Sequence, residues 1–238
     1  MKRLVRALAG RMGYDLVARP RRDKSSGPGR SPLSLRDVDV RHCQVLPNRE
    51  CILQYLPQGG MVAEVVVALG HFSESLLRVL RPHEFVAIDR FELHRERQLW
   101  GVPTKDIFHG ATHEDYYRAK FKSPIEHGIV RISKGVSWDV LAKCQDEAFD
   151  VIYIDAGHDY ESVKNDAMAA CNKIKPNGFL VFNDYIRYDH LANMPYGVVH
   201  VVNELCCKSN YEMLYLAMHP EMFCDVALRQ KPINATRL

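Results

Sequence analysis

From Met61 onward the chain alternates short apolar runs with segments of helical length, and this alternation excludes most folds. The runs are "MVAEVVVAL" (61–69), "EFVAID" (84–89), "GIVRIS" (128–133), "VIYID" (151–155) and "FLVFND" (179–184). Strands apolar on both faces and separated by helices predict a parallel sheet covered on both sides. The end of the chain differs. "YEMLYLAM" (211–218) and "FCDVALRQ" (223–230) are joined by a hairpin-length connection, which makes the last pair antiparallel. The expectation is an α/β, doubly wound, seven-stranded sheet, mostly parallel with an antiparallel C-terminal hairpin.

With 238 residues, 47% of them hydrophobic, the chain can bury the core such a sheet needs. No run approaches the roughly 20 apolar residues that span a bilayer, and a soluble, cytoplasmic protein is expected. Seven scattered cysteines without a C-x-x-C pair argue against a disulfide framework and a zinc site, and read as reduced thiols. Residues 1–31 carry nine Lys and Arg against Asp15 and Asp23, so the remainder is mildly acidic. Apolar residues at near-helical spacing over 1–17 and the Gly/Pro/Ser-rich stretch that follows predict a basic N-terminal helix and flexible linker over 1–45. A single domain is expected over 46–238. The basic tail is a solvated extension, or a contact for an acidic partner, a membrane surface or nucleic acid; no clear nucleic-acid motif accompanies it.

In doubly wound sheets ligands bind beyond the carboxyl ends of the strands, where strand order reverses. Five successive runs deliver polar residues to that edge: Glu64 and Gly70, Asp89, Ser137, Asp155, and the pair Asn183 and Asp184. Gly70 leads into a helix expected to open at Ser73, whose hydroxyl can cap it and whose free N–H groups can face an anion. Asp89, about 20 residues on, stands where a carboxylate accepts from ribose hydroxyls, so a nucleoside-type cofactor is expected. A pyrophosphate cradle needs G-x-G-x-x-G, and Gly70 stands alone, which favours S-adenosylmethionine over a nicotinamide dinucleotide.

Asp155 with Asn183 and Asp184 forms a set of hard oxygen donors suited to Mg²⁺ or another divalent cation, or else a helix cap and a turn. His158 is a base directed at the substrate, or a surface imidazole in a turn. Tyr185, Tyr188, His190 and Tyr196 lie in the loop after the fifth run and form an aromatic lid over the substrate, or pack that loop onto the domain. Trp100 and "THEDYYRAKF" offer a further wall or a homo-oligomer contact.

The segment "FDVIYIDAGHDYESVKNDAMAACNKIKPNGFLVFNDY" (149–185) resembles the second half of class I S-adenosylmethionine-dependent methyltransferases. The likeness is to a bacterial group related to the metal-dependent catechol and caffeoyl-coenzyme A O-methyltransferases, and it extends over about residues 46–230. It implies that Glu64, Val66, Gly70, Phe72 and Ser73 line the methionine part of the cofactor, that Asp89 and Arg90 attend the ribose, and that Val136, Ser137 and Trp138 border the adenine. It also places Asp155 beside the cofactor, puts Asp155, Asn183 and Asp184 on the metal positions, and sets His158 where those enzymes carry a lysine base. The implied activity is metal-assisted O-methylation of a small-molecule hydroxyl, with His158 and Asp155 as catalytic residues.

Two departures accompany the likeness. Val66 stands where the first motif has a glycine, and a Cβ there is expected to weaken or reshape cofactor binding. The pair after the fifth strand reads Asn-Asp instead of Asp-Asn. A non-catalytic binding or scaffold protein on the same fold, or a related metal-dependent hydroxylase, are the alternatives.

Overall fold

A computed structural model describes residues 31–232; the expected N-terminal helix and most of the linker lie outside them. Eight strands form the main sheet: β1 (Gln44–Leu46), β2 (Met61–Val65), β3 (Glu84–Asp89), β4 (Val130–Lys134), β5 (Phe149–Ile154), β6 (Ile174–Phe182), β7 (Tyr211–Ala217) and β8 (Asp225–Gln230). Their order is β1-β7-β8-β6-β5-β2-β3-β4. Strands β2 to β6 run parallel, while β8 lies antiparallel between β6 and β7. The mostly parallel α/β sheet with its antiparallel hairpin is therefore as expected.

The strand count is not seven but eight. Gln44–Leu46 adds to the sheet edge in parallel with β7, pairing Gln44 with Tyr215 and Leu46 with Ala217. Three residues show no period, which is why the sequence hid them. Just before this strand, Asp39 is fully buried and bonded by Arg36 and by Lys231 Nζ at 2.7 Å. The folded body thus begins N-terminal of residue 46.

The helices are α1 (Asp37–Val40), α2 (Arg49–Ile52), α3 (His71–Leu80), α4 (Thr104–Phe108), α5 (His113–Lys120), α6 (Lys122–Glu126), α7 (Ser137–Ala142), α8 (Tyr160–Cys171) and α9 (Val198–Lys208). Asn48 caps α2, accepting from Cys51 N at 3.0 Å, and a 3₁₀ turn over Leu53–Tyr55 continues it. Alternate strand residues feed two cores, as the period of two demands. Ala63, Val65, Val86, Ile88, Ile152 and Ile154 meet Leu141 of α7, Val163 of α8 and Val201 of α9. Val62, Phe85, Ala87, Val151 and Tyr153 meet Leu76 of α3, Tyr117 of α5 and Ile52 of α2. Both faces are covered, so the strands read as apolar runs.

Strand order reverses between β2 and β5. Val66 N donates to Ile88 O at 2.8 Å, and Asp155 N donates to Val65 O at 3.0 Å. The ends of β2, β3 and β5 are thereby locked side by side. No helix among the described residues is long and apolar enough to cross a membrane, and all seven cysteines are free thiols.

Candidate active site

The turn from β2 into α3 carries three residues in the left-handed region: Val66 (φ 67°), Ala68 (φ 45°) and Gly70 (φ 70°). Only the last is a glycine, and a β-branched residue there is a true outlier. At Val66 the backbone takes a glycine-type conformation with a Cβ attached. Beside it, the buried Asp89 carboxylate accepts from Ala68 N at 3.3 Å through Oδ2 and from Phe91 N at 2.7 Å through Oδ1. The acid expected to attend a ribose also staples the loop to the end of β3.

Helix α3 opens at His71 after Gly70, two residues before the expected start. Ser73 is consequently not a cap but a buried residue within the first turn. Its hydroxyl donates to Glu64 Oε2 and accepts from Tyr117 OH at 3.1 Å. Burial drives the Glu64 carboxyl well above the usual carboxylate range, which suits a protonated group in a closed hydrogen-bond chain. Phe72 is also in the core, its ring 4.4 Å from that of Tyr153 with the Arg49 guanidinium over it at 4.4 Å.

At the end of β4, Gly135 N donates to Asp89 O at 2.9 Å and sets Val136, Ser137 and Trp138 next to that acid. Ser137 is buried, and Val136 and Trp138 are half-buried. Arg90 turns outward and pairs with Glu92 at 2.8 Å, so it does not join the group at this edge.

Strands β5 and β6 are neighbours, with Asn183 N donating to Ile154 O at 3.0 Å, so Asp155, Asn183 and Asp184 meet at one edge. Asp159, not Asp155, caps α8, accepting from the N–H groups of Glu161 and Ser162 at 3.1 Å. This leaves the Asp155 carboxylate free of that duty. Enclosure, the Asp184 charge and the Asp225 charge push Asp155 up to about 7, against a smaller opposing effect of Arg49. Asp184 is likewise pushed up to about 7, by burial first and Asp225 next. His158 Nε2 lies 3.4 Å from Asp184 Oδ2 and 3.8 Å from Asp155 Oδ1, buried and without a hydrogen-bond partner. Burial lowers the imidazole below its ordinary pKa, with the Asn183 side chain opposing.

The loop after β6 divides the four residues expected to form a lid. Tyr196 lies parallel to the His158 ring, with centroids 4.4 Å apart and planes at 14°, and donates to Asp189 Oδ2 at 2.9 Å. Tyr185 packs inward, donating to Asn203 Oδ1 of α9 at 2.6 Å. Tyr188 donates to Asn193 within a small hairpin of Tyr188–Asp189 and Met194–Pro195, and His190 stacks near Phe223 at 5.2 Å. Of the four, Tyr196 alone touches His158.

Three contributors escaped the sequence reading. Arg49 reaches this edge from α2, donating to Tyr153 OH at 3.4 Å. Tyr153 OH donates in turn to Asp225 Oδ2 at 2.7 Å, and Asn183 Nδ2 donates to Asp225 Oδ1 at 3.1 Å. The third, His113, donates from Nε2 to Ala68 O at 2.6 Å. Arg49 and Asp225 are far from the motifs in sequence, and nothing local signals their approach. Among the described residues no group of three or more His, Cys, Asp or Glu side chains is arranged as a metal centre. A shallow cleft lined by Asp146, Cys171 and Pro176 lies at the opposite, amino edge of β5 and β6 and holds none of these groups.

Solved structures share this architecture. The cofactor-bound Rv0187 protein from MTB superposes with a TM-score of 0.53 at 17% identity, covering 76% of this chain and 78% of that one. The O-methyltransferase TomG from Streptomyces achromogenes, solved with SAM, gives 0.52 at 16% identity, with 76% and 78% covered. A Corynebacterium glutamicum protein gives 0.52 at 13% identity, with 96% and 88% covered. At such identities the likeness establishes the fold. No curated protein matches the chain in sequence. A family profile described as "Methyltransferase domain" matches residues 63–185, from within β2 through the residues after β6, and the chain belongs to that methyltransferase-domain family.

Proposed function

We propose that the protein transfers a methyl group from S-adenosylmethionine to a hydroxyl of a small molecule, with His158 as the base. The observation that carries this reading is the buried, unpartnered Nε2 of His158, standing at the strand-reversal edge beside Asp155 and Asp184.

The cofactor supplies a methyl group already activated on a sulfonium, which departs as a neutral thioether. The loop Val66–Gly70, the Asp89 carboxylate and the Val136–Trp138 segment would hold it. Acceptance by Asp89 fits this assignment, since a carboxylate oxygen that takes one backbone N–H keeps a lone pair for a ribose hydroxyl. The left-handed φ of Val66 supports this reading over the scaffold alternative, because the loop backbone adopts a glycine-type conformation despite the Cβ.

His158, neutral because burial lowers its pKa, takes the acceptor proton at Nε2 as the oxygen attacks the methyl carbon. Tyr196 stacked on the imidazole fixes the direction of that lone pair, and alignment of donor and acceptor supplies much of the acceleration.

Asp155 and Asp184 fit a divalent cation in donor chemistry, because two enclosed carboxylates that oppose each other's ionisation would be relieved by positive charge. Such an ion would neutralise charge developing on the acceptor oxygen. Asn183 donates its amide nitrogen to Asp225, which leaves Oδ1 as the atom that would serve as the third ligand.

The test is methyl transfer from labelled S-adenosylmethionine to a panel of phenols, sugars and hydroxylated natural products, with and without chelator. Label appearing on a hydroxyl in wild type and vanishing in His158→Ala supports the reading. Calorimetry showing no S-adenosylhomocysteine binding at millimolar ligand would sink it.

A further inference from the structure

A loop with Cβ atoms at two left-handed positions does not hold that shape unaided, because local strain persists only where its surroundings over-determine it. Strand β3 holds residues 66–73 from one side, through Ile88 and Asp89; the other side is held by helix α5, which lies between β3 and β4 in sequence and outside the motifs. Thr112 caps this helix, accepting from Asp115 N at 3.1 Å, and so fixes where its first residue stands. That residue is His113, fully buried, whose Nε2 donates to Ala68 O at 2.6 Å. Because a carbonyl only accepts, Nε2 carries the proton. Nδ1 has no partner, and the ring rests near those of Phe91 and Phe108 at 5.1 and 5.6 Å.

Three more residues of the same segment grip the loop. Lys120 Nζ donates to Leu69 O at 3.1 Å, and Tyr117 OH donates to Ser73 Oγ. A Cβ at Gly70 would come within 2.5 Å of Phe121 Cε2 and 2.9 Å of Tyr117 Cε2. The single glycine kept in the loop is therefore required where α5 presses closest, while the two positions without glycine flank the carbonyl and N–H groups that His113 and Asp89 hold.

We propose that α5 is a brace that keeps the cofactor loop in left-handed geometry despite the Cβ atoms of Val66 and Ala68, and that His113 is the positioning residue, acting on the cofactor through the Ala68 carbonyl. The assignment of the loop to a cofactor rests on the methyltransferase reading above; the brace itself does not. His113 holds the peptide after Ala68 by its carbonyl and Asp89 holds the peptide before it by its N–H, so the two bonds pin the left-handed dihedrals of Ala68 from both sides.

The experiment compares full-length wild type, His113→Phe, His113→Gln, and His113→Phe in a Val66→Gly/Ala68→Gly background. Amide hydrogen exchange over residues 66–73 is read alongside calorimetric binding of S-adenosylhomocysteine. His113→Phe keeps the ring's bulk and loses the donor; it should speed exchange at Ala68 and Gly70 and weaken binding, each by about tenfold. His113→Gln restores a donor and should recover most of both, and in the glycine background the phenylalanine should cost much less. Exchange unchanged in His113→Phe, or an equal loss with and without the glycines, overturns the brace. Wild type that shows the exchange pattern but binds no S-adenosylhomocysteine leaves the brace standing and overturns the cofactor reading alone.

Discussion

Tyr196 lies flat against His158, with ring centroids 4.4 Å apart and planes at 14°. The two arrive from different segments, joined by a backbone bond from Gly197 N to His158 O at 2.7 Å. A Cβ at Gly197 would meet Tyr160 Cα at 2.3 Å, so only glycine permits this approach. With His158 as the proposed base, His158→Ala should lower kcat by about 10²–10⁴-fold and leave S-adenosylhomocysteine affinity unchanged. Tyr196→Ala should cost less, by releasing the imidazole without removing it. Single-turnover methyl transfer and calorimetry on the same samples check both; equal losses in affinity and turnover would contradict the assignment.

The loop between β2 and α3 makes a prediction of opposite signs at neighbouring positions. Gly70→Ala places a Cβ against Phe121 and Tyr117 and onto a φ of 70°, and should destabilise by about 3 kcal/mol. Ala68→Gly relieves a φ of 45° at the expense of unfolded-chain entropy, and should stabilise by about 0.5–1 kcal/mol. Urea unfolding at neutral pH measures both. A destabilised Ala68→Gly would show that the loop is not strained at that residue.

The carboxylates at the ends of β5, β6 and β8 predict how stability depends on pH. Asp155 and Asp184 are raised from 3.8 to about 7, and Asp225 to about 6, so the folded state holds protons that the unfolded state has released. Their stabilising contribution is present in full below about pH 4 and is lost as pH rises through about 6 to 7. The Tm should thus fall between pH 5 and pH 8. Asp184→Asn should flatten that fall by raising Tm more at pH 8 than at pH 5. A parallel pair of Tm profiles for wild type and variant would refute an origin in these carboxylates.

The parallel sheet was legible because burial on both faces writes itself as unbroken apolar runs, and the edge residues followed from the rule that ligands gather beyond the carboxyl ends of strands. What was illegible depends on distance in the chain or on shape. Strand β1 has three residues and no period. Arg49 and Asp225 meet Tyr153 from opposite ends of the domain. His113 belongs to a segment read as a further wall or an oligomer contact, although its side chain is fully buried. Val66 was legible as a departure, but not its outcome: sequence shows that a glycine is missing, and only the backbone shows that its conformation was kept. Ser73 was displaced by two residues of helix, which changed it from a cap into the middle of a buried hydrogen-bond chain.

That same dependence on distant partners makes Tyr153 a sharp probe of the site's floor. Its hydroxyl is buried, donates to Asp225 Oδ2 at 2.7 Å and accepts from Arg49 at 3.4 Å, so it links the guanidinium to the carboxylate. Tyr153→Phe preserves the ring packed against Phe72 and deletes only the oxygen. Asp225 Oδ2 is then left without its donor in a buried position, at a cost of about 1–3 kcal/mol. Losing that donor also raises the Asp225 pKa further, since the Tyr153 bond is the largest of the effects opposing burial. The variant should therefore lose more stability at pH 8, where Asp225 must ionise, than at pH 5, where it is protonated. Denaturant midpoints at the two pH values decide the matter: an equal loss at both would mean that the phenol acts through packing alone.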